Sequence, residues 1–324
     1  MRLRVALAGA GMSSRFHLPA WKAAGAEVVA VADPDPARAR QRTAEFGVRR
    51  AYAGVGEMLD AERPDALDVA SPRETHADLV RLAASRGIAV LCQKPLCPTL
   101  AEAEALAEEV AGRARLMVHE NWRFRPYYRC LKAWLEEGRI GRAASLSIHH
   151  RSSGFLPLAD GRRPALVRQP FMAGEERLMV AESLIHHLDV ARWLLGPLEV
   201  LAVRRQRLVD ACRGETAATI MLSTRDGVPV VVEGNGAVPG LPPAARDGVT
   251  LIGSRATATF DGAVLRLLGD APEEEHFEHE AAYQESFDAC VAHFVACLRA
   301  GTPFETAPED NLHTLRLVEA AYAA

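Results

Sequence analysis

Apolar residues come in short compact runs over the first 120 or so positions and in longer, more alternating segments afterwards, and this change divides the chain. Runs at 3–8, 27–32, 66–70, 88–92 and 116–118 have the length and apolar density of strands buried on both faces. Stretches of helical character lie between them, at 15–24, 36–46, 55–60, 75–85 and 99–111. Thr99 with Glu102 three residues on has the form of a capping box for the last of these. Regular alternation of strand and helix predicts a doubly wound parallel sheet, with ligands beyond the carboxyl ends of its strands.

From about residue 122 the pattern changes to longer strand-like segments at 144–151, 200–209, 217–224, 228–233, 249–252 and 256–260. Asp226-Gly227 and Asp261-Gly262 mark hairpin turns among them. Helices are expected at 127–137, 177–195, 284–299 and 309–321, and the Pro/Gly-rich stretch 155–176 reads as a loop. The expected fold class is α/β. A doubly wound parallel sheet spans 1–121, and an α+β domain with a mostly antiparallel open sheet spans 122–324. The second domain is assigned substrate binding and oligomerisation, and its last helix is free to pack back on the first domain.

The first βαβ unit carries the clearest chemistry. Strand 3–8 empties into Gly9-Ala10-Gly11-Met12-Ser13-Ser14, a helix follows, and strand 27–32 ends at Asp33. In such a turn the first glycine permits the tight bend and the second lets backbone approach a pyrophosphate. The helix N-terminus offers N–H groups to its charge. Asp33, 22 positions after Gly11, suits the adenosine ribose hydroxyls. Its carboxylate repels a 2′-phosphate and favours NAD over NADP. Arg38 is near enough in sequence to soften that preference, so NADP stays possible.

Composition excludes several classes. The formal net charge of −4 gives no electrostatic reason to expect nucleic acid or an anionic membrane surface. No apolar run reaches 18 residues, so no membrane span is expected. Six cysteines without a C-x-x-C pair read as reduced thiols of a cytoplasmic protein. No convergent Cys/His spacing supports a metal site.

Only Lys22, Lys94 and Lys132 are lysines, which singles out Lys94 in Gln93-Lys94-Pro95 at a strand end. Ser71-Pro72, with His76 shortly after, sits at another. A second constellation is Glu182-Ser183-Leu184-Ile185-His186-His187-Leu188-Asp189. On a helix, Glu182 and His186 share a face. Histidine is the side chain best poised for proton transfer near neutral pH, and a nearby carboxylate can orient it. The same spacing also suits a helix whose histidines and aspartate only make salt bridges.

Taken in order, these segments resemble the glucose–fructose oxidoreductase / inositol dehydrogenase / rhizopine-catabolism (Gfo/Idh/MocA) family along essentially the whole chain. The residues that carry the resemblance are the glycine turn with His17, Ser71-Pro72 with His76, and Gln93-Lys94-Pro95. Asn121-Trp122-Arg123-Phe124-Arg125-Pro126 and Glu182 to Asp189 with Arg192-Trp193 complete it. The resemblance implies a Rossmann domain, a bound NAD(H) or NADP(H), and hydride transfer to or from a secondary alcohol of a sugar, polyol or derivative. It implies Lys94 and His186 as the catalytic pair, with Glu182 in substrate binding and proton relay. Gly9, Gly11, Met12, Ser13, Asp33, Arg38, Ser71, Pro72, His76, Gln93 and Lys94 would serve the cofactor. Arg123, Glu182, His186 and His187 would serve the substrate. Two residues depart from the family pattern: Gln93 replaces a glutamate, removing a carboxylate beside Lys94, and Glu182 replaces an aspartate. An NAD-dependent glycosidase with transient oxidation and a nucleotide-bound sensor are the alternatives. The open sheet calls for a homodimer or homotetramer.

Overall fold

The computed structural model describes residues 2–324, which separate into two compact units. The first comprises residues up to Phe124 together with Tyr283–Leu315; the second comprises Arg125–Ala282 with Arg316–Ala324.

The first unit runs β1 (Arg4–Ala8), α1 (Ser14–Ala23), β2 (Glu27–Ala32), α2 (Pro36–Phe46), β3 (Arg50–Tyr52), α3 (Val55–Glu62), β4 (Ala66–Val69), α4 (His76–Ala84), β5 (Ala89–Gln93), α5 (Leu100–Val110) and β6 (Leu116–His119). The strands form one parallel sheet in the order β3-β2-β1-β4-β5-β6. The order reverses between β1 and β4, which opens the ligand crevice of such sheets at their carboxyl ends. Val5, Ala6, Leu7 and Ala8 are fully buried, as their unbroken apolar run requires. β3 escapes sequence reading because it is a three-residue edge strand with little buried apolar surface. The Thr99–Glu102 capping box forms as expected.

The second unit runs α6 (Pro126–Glu136), β7 (Ala143–Arg151), α7 (Pro164–Arg168), a π-helical turn (Met179–Leu184), α8 (Ile185–Leu195), β8 (Leu198–Gln206), β9 (Ala217–Thr224), β10 (Pro229–Asn235), β11 (Arg246–Gly253), β12 (Ala256–Phe260), β13 (Val264–Gly269) and β14 (Glu273–His276). Its eight strands lie in the order β14-β13-β12-β11-β7-β10-β9-β8. Every pair is antiparallel except β10 with β7. Both Asp-Gly pairs turn hairpins, with Gly227 and Gly262 at positive φ, where glycine carries no Cβ penalty.

Two helices complete the chain: α9 (His279–Ala300) and α10 (Pro308–Ala323). α9 from Tyr283 onward and α10 as far as Leu315 belong to the first unit, and the rest of α10 to the second. Phe287, Cys290, Val291, Phe294 and Val295 of α9 share one core with Val5, Trp21, Leu91, Met117 and Phe124. Burying that aromatic stripe is the driving force.

The helix expected over 177–195 is not uniform. Ile185 N–H reaches the Val180 carbonyl, five residues back, and only from Ile185 is the helix α. The expected 155–176 loop contains α7 and a short 3₁₀ turn at Pro170–Ala173.

Candidate active site

In the first unit the glycine turn is built by close packing. Gly9 has φ +103°, and a Cβ there would fall 2.7 Å from the Ala70 backbone, so only glycine fits. At Gly11 a Cβ would meet open space. That is the opening through which a pyrophosphate could approach the backbone. Ser14 Oγ donates to the Gly11 carbonyl at 2.6 Å and Ser13 Oγ to the Ala70 carbonyl at 3.4 Å. Met12 accepts from Arg15 N–H as α1 begins, and no side chain caps that helix N-terminus. Asp33 accepts from Ala10 N–H at 2.8 Å through one oxygen and from Asp35 N–H at 2.9 Å through the other. Each carboxylate oxygen thus keeps a second acceptor site for a ribose hydroxyl. These residues fit a dinucleotide.

Arg38 does not join this group; it is exposed and pairs with Asp35 at 3.5 Å. The arginine at the turn is Arg42, one helical turn later. Its guanidinium donates to the Ala10 and Gly11 carbonyls at 3.2 and 3.1 Å. The two arginines share a face of α2, so the extra helical turn, about 6 Å along the axis, makes this difference, which the spacing from Asp33 did not reveal.

At the ends of β4 and β5, His76 is buried, with its ring nitrogens 2.9 Å from the Pro95 carbonyl and 3.0 Å from the Ser71 carbonyl. It ties together the two strand-end segments that carry Ser71-Pro72 and Gln93-Lys94. Burial pushes its pKa below the ordinary imidazole value, against the pull of those carbonyls. The Lys94–Pro95 peptide is cis.

Gln93 is the centre of a chain that sequence reasoning missed. Its Nε2 lies 2.8 Å from His17 Nε2 and 3.1 Å from His119 Nδ1, while its Oε1 accepts from Lys94 N–H at 3.2 Å. His17 Nδ1 reaches Asp68 Oδ2 at 2.8 Å, and Trp21 Nε1 donates to the same oxygen at 2.5 Å. His17, Asp68 and His119 are all fully buried. Because Lys94 N–H must find an acceptor, the carbonyl oxygen of Gln93 faces it and the amino group faces both imidazoles. His17 then carries its proton on Nδ1. A glutamate at 93 could accept from these rings but not donate to them.

Arg123 is buried and committed to Asp310 at 2.8 Å and the Glu305 carbonyl at 3.3 Å. That is a structural task within the first unit, in place of the expected substrate contact.

In the second unit Glu182 and His186 are 9% and 6% exposed, Glu182 on the π-helical turn and His186 in the first turn of α8. His187 is fully buried and turned to the core rather than to a ligand. Its Nε2 lies 2.9 Å from Asp247 Oδ1 and its Nδ1 3.2 Å from the Ser183 carbonyl. Asp247 also takes His150 Nδ1 at 2.8 Å, with Tyr127 and Tyr128 hydroxyls on its other oxygen at 2.8 and 3.2 Å. Burial alone would raise the Asp247 carboxyl; the His187 charge and the histidine hydrogen bonds overcome it and hold it well below the usual carboxylate range. His150, His187 and Asp247 offer three donor atoms within 4.8 Å of one another. The two short N···O distances and the two tyrosines make this a hydrogen-bonded ion network.

A half-open cavity of about 230 Å³ lies in the same unit, lined by His150, Ser152, Ser183, Arg168, Phe155 and Met179 among others. Ser183 places it against the π-helical turn. The neighbouring arginines are occupied: Arg162 with Asp160 and Arg163 with the Phe155 carbonyl.

A glycine turn with an acceptor aspartate on a six-stranded parallel sheet, followed by an α+β unit presenting a carboxylate and a histidine, defines a nicotinamide-dependent oxidoreductase architecture. Residues 3–120 match the GFO/IDH/MocA oxidoreductase family, NAD-binding Rossmann fold, and residues 128–259 match the GFO/IDH/MocA C-terminal domain. The chain belongs to this family. It is 37% identical to a D-apiose dehydrogenase of Paraburkholderia graminis, over 99% of this chain and 87% of that protein. It is 33% identical to an inositol 2-dehydrogenase of Saccharopolyspora erythraea, over 71% of this chain and 66% of the relative. A solved oxidoreductase from Agrobacterium radiobacter, in complex with NAD+, L-tartaric acid and magnesium, superposes with a TM-score of 0.92 at 29% identity. That match covers 100% of this chain and 96% of the other.

Proposed function

We propose that this oxidoreductase is an NAD-dependent dehydrogenase acting on a secondary alcohol of a small sugar, polyol or sugar derivative. The substrate class rests on the similarity to D-apiose and inositol dehydrogenases. The observation that carries the chemistry is a histidine, His186, held almost out of solvent four positions after a carboxylate, Glu182. When bound, the nicotinamide nucleotide supplies the hydride acceptor, held by the Gly9–Ser13 turn and Asp33. Lys94 holds the substrate oxygen as charge develops on it. His186 takes the hydroxyl proton in oxidation and returns it in reduction, and Glu182 binds substrate and orients the proton acceptor. The cavity beside Ser183 receives the part of the substrate remote from the reacting carbon. Its volume is below the roughly 300–1,000 Å³ of drug-sized pockets, which suits a small substrate.

The open sheet face supports a homo-oligomer, dimer or tetramer. Register places Met221, Val231, Ser147, Thr250 and Thr259 in one row across five strands, without a charge. The cysteines are free and all but Cys130 are buried, which suits a reducing cytoplasm. No helix among the described residues is long and apolar enough to cross a membrane.

The test is NADH formation from NAD, then NADPH from NADP, over D-apiose, myo-inositol and sugar acids, with Lys94→Met and His186→Ala alongside. Reduction that vanishes in both variants supports the proposal. Silence across the panel, with nucleotide still bound, would replace it with the closed-cycle glycosidase or the sensor.

A further inference from the structure

The π-helical turn that carries Glu182 is held at its start by two residues far away in sequence. Any helix begins with four N–H groups lacking intrahelical partners. Here four consecutive ones meet two residues. Leu178 and Val180 N–H donate to the Glu215 carboxylate at 3.4 and 3.0 Å, and Met179 N–H to the Glu215 carbonyl at 3.0 Å. Ala181 N–H donates to the Tyr322 hydroxyl at 3.3 Å, and that hydroxyl donates to Glu215 Oε1 at 2.5 Å. Glu215 is buried, and its negative charge sits at the end of the turn where the helix dipole favours it.

The anchor itself is fixed. The guanidinium groups of Arg177 and Arg205 pack on the Tyr322 ring, at 4.1 and 5.1 Å from its centroid. Arg177 also pairs with Glu319 at 2.9 Å, and Arg205 donates to the Ala321 and Tyr322 carbonyls. Burial and the neighbouring Glu215 push the Tyr322 pKa up, so the hydroxyl stays a donor. Beneath the turn, Gly234 of β10 admits it: a Cβ there would fall 2.7 Å from Met179 Sδ and 2.8 Å from a Leu184 methyl.

We propose that Glu215 and Tyr322 are positioning residues of the active site, holding the π-helical register of Met179–Leu184 and thereby setting Glu182 against His186. A π turn carries one residue more than the α turn it replaces. Relaxation to α would slide Glu182 by one position relative to α8, a rotation of about 100° about the helix axis. The contacts come from the segment just before β9 and from the end of α10, and they converge on the π-helical turn. This inference rests on the role proposed for Glu182.

The experiment compares Tyr322→Phe, which keeps the ring against its arginines, with Glu215→Gln, Glu182→Gln and the double variant Tyr322→Phe/Glu182→Gln. D-Apiose and myo-inositol are the probes. Tyr322→Phe should lower kcat by about 10–100-fold and shift its pH profile, with the NAD Kd unchanged. The double variant should lose no more than Glu182→Gln alone. Wild-type kcat and pH profile in Tyr322→Phe, or losses that multiply in the double variant, would overturn the positioning role. Amide hydrogen exchange of residues 178–187 is read in the same proteins and needs no turnover. Faster exchange confined to that segment in Tyr322→Phe and Glu215→Gln is expected, and unchanged exchange overturns the inference. A Glu182→Gln enzyme with full activity, or a wild type inert toward both probes, instead sinks the role given to Glu182 or the substrate class. The exchange result then decides the anchor by itself.

Discussion

The Gln93 carboxamide stands 2.8 Å from His17 Nε2 and donates to it, so a residue that departs from the family's glutamate forms the middle of a buried chain from Asp68 to His119. Gln93→Glu should therefore destabilise the protein. Its carboxylate takes no donor from neutral His17, whose Nδ1 proton is committed to Asp68, and is met only by His119 with its proton moved to Nδ1. The expected cost is about 1–3 kcal/mol. Thermal unfolding of the variant and wild type across pH reads it, and identical Tm values throughout would refute the donor assignment.

Acid should weaken the wild type. Burial pushes His119 well below the ordinary imidazole value, and His76 and His150 are lowered for the same principal reason. For a depressed folded-state pKa, the stability is fully present above the unfolded value and lost as pH falls below it, because the unfolded chain then binds protons that the folded one refuses. Tm should decline as pH is taken from about 7 to about 5. A flat Tm over that interval would contradict the burial of these rings.

Asp247→Asn removes the charge that faces His187 and turns a donor toward groups that already donate. Breaking a buried ion network in this way costs about 3–5 kcal/mol. Urea unfolding should show an earlier transition, whereas an unshifted midpoint would mean the network contributes nothing.

Asp33→Ser should weaken NAD about 10–100-fold, the worth of charged hydrogen bonds lost to the ribose, and narrow the gap to NADP. Arg38→Ala should leave the ratio of the two dissociation constants unchanged, since Arg38 faces Asp35. Arg42→Ala should weaken both nucleotides by loosening the glycine turn. Fluorescence titration with each nucleotide measures all three, and an Arg38→Ala shift in preference would reverse this assignment.

Met221→Lys places a charge on the open sheet face, at a residue 51% exposed in the single chain. Light scattering should show a smaller species than wild type at equal concentration. An unchanged mass would remove this face from consideration as the interface.

Much of the fold was legible because its signals are local. The β1–glycine turn–α1–β2–Asp33 order, the Thr99 cap and the two Asp-Gly hairpins each lie within a few turns of chain, and their chemistry needs no distant partner. β14 was less legible: it is four residues long, three of them glutamate, and it gains its place from pairing with β13. Glu182 and His186 were recognisable as residue types at a helical spacing. The π-helical turn was not, because nothing in the sequence of 177–195 marks an inserted residue.

By itself the sequence determined the fold class, the nucleotide turn and its acceptor, and the acid–histidine helix, since each follows from backbone preference and apolar periodicity along contiguous residues. Only the tertiary structure decided that Arg42 rather than Arg38 meets the glycine turn, and that Gln93 bridges two histidines. It alone turned His187 and Arg123 inward and brought Glu215 and Tyr322 to the start of the π-helical turn. In each case a buried polar group had to find partners, and those partners lie on elements brought near only when the sheets form.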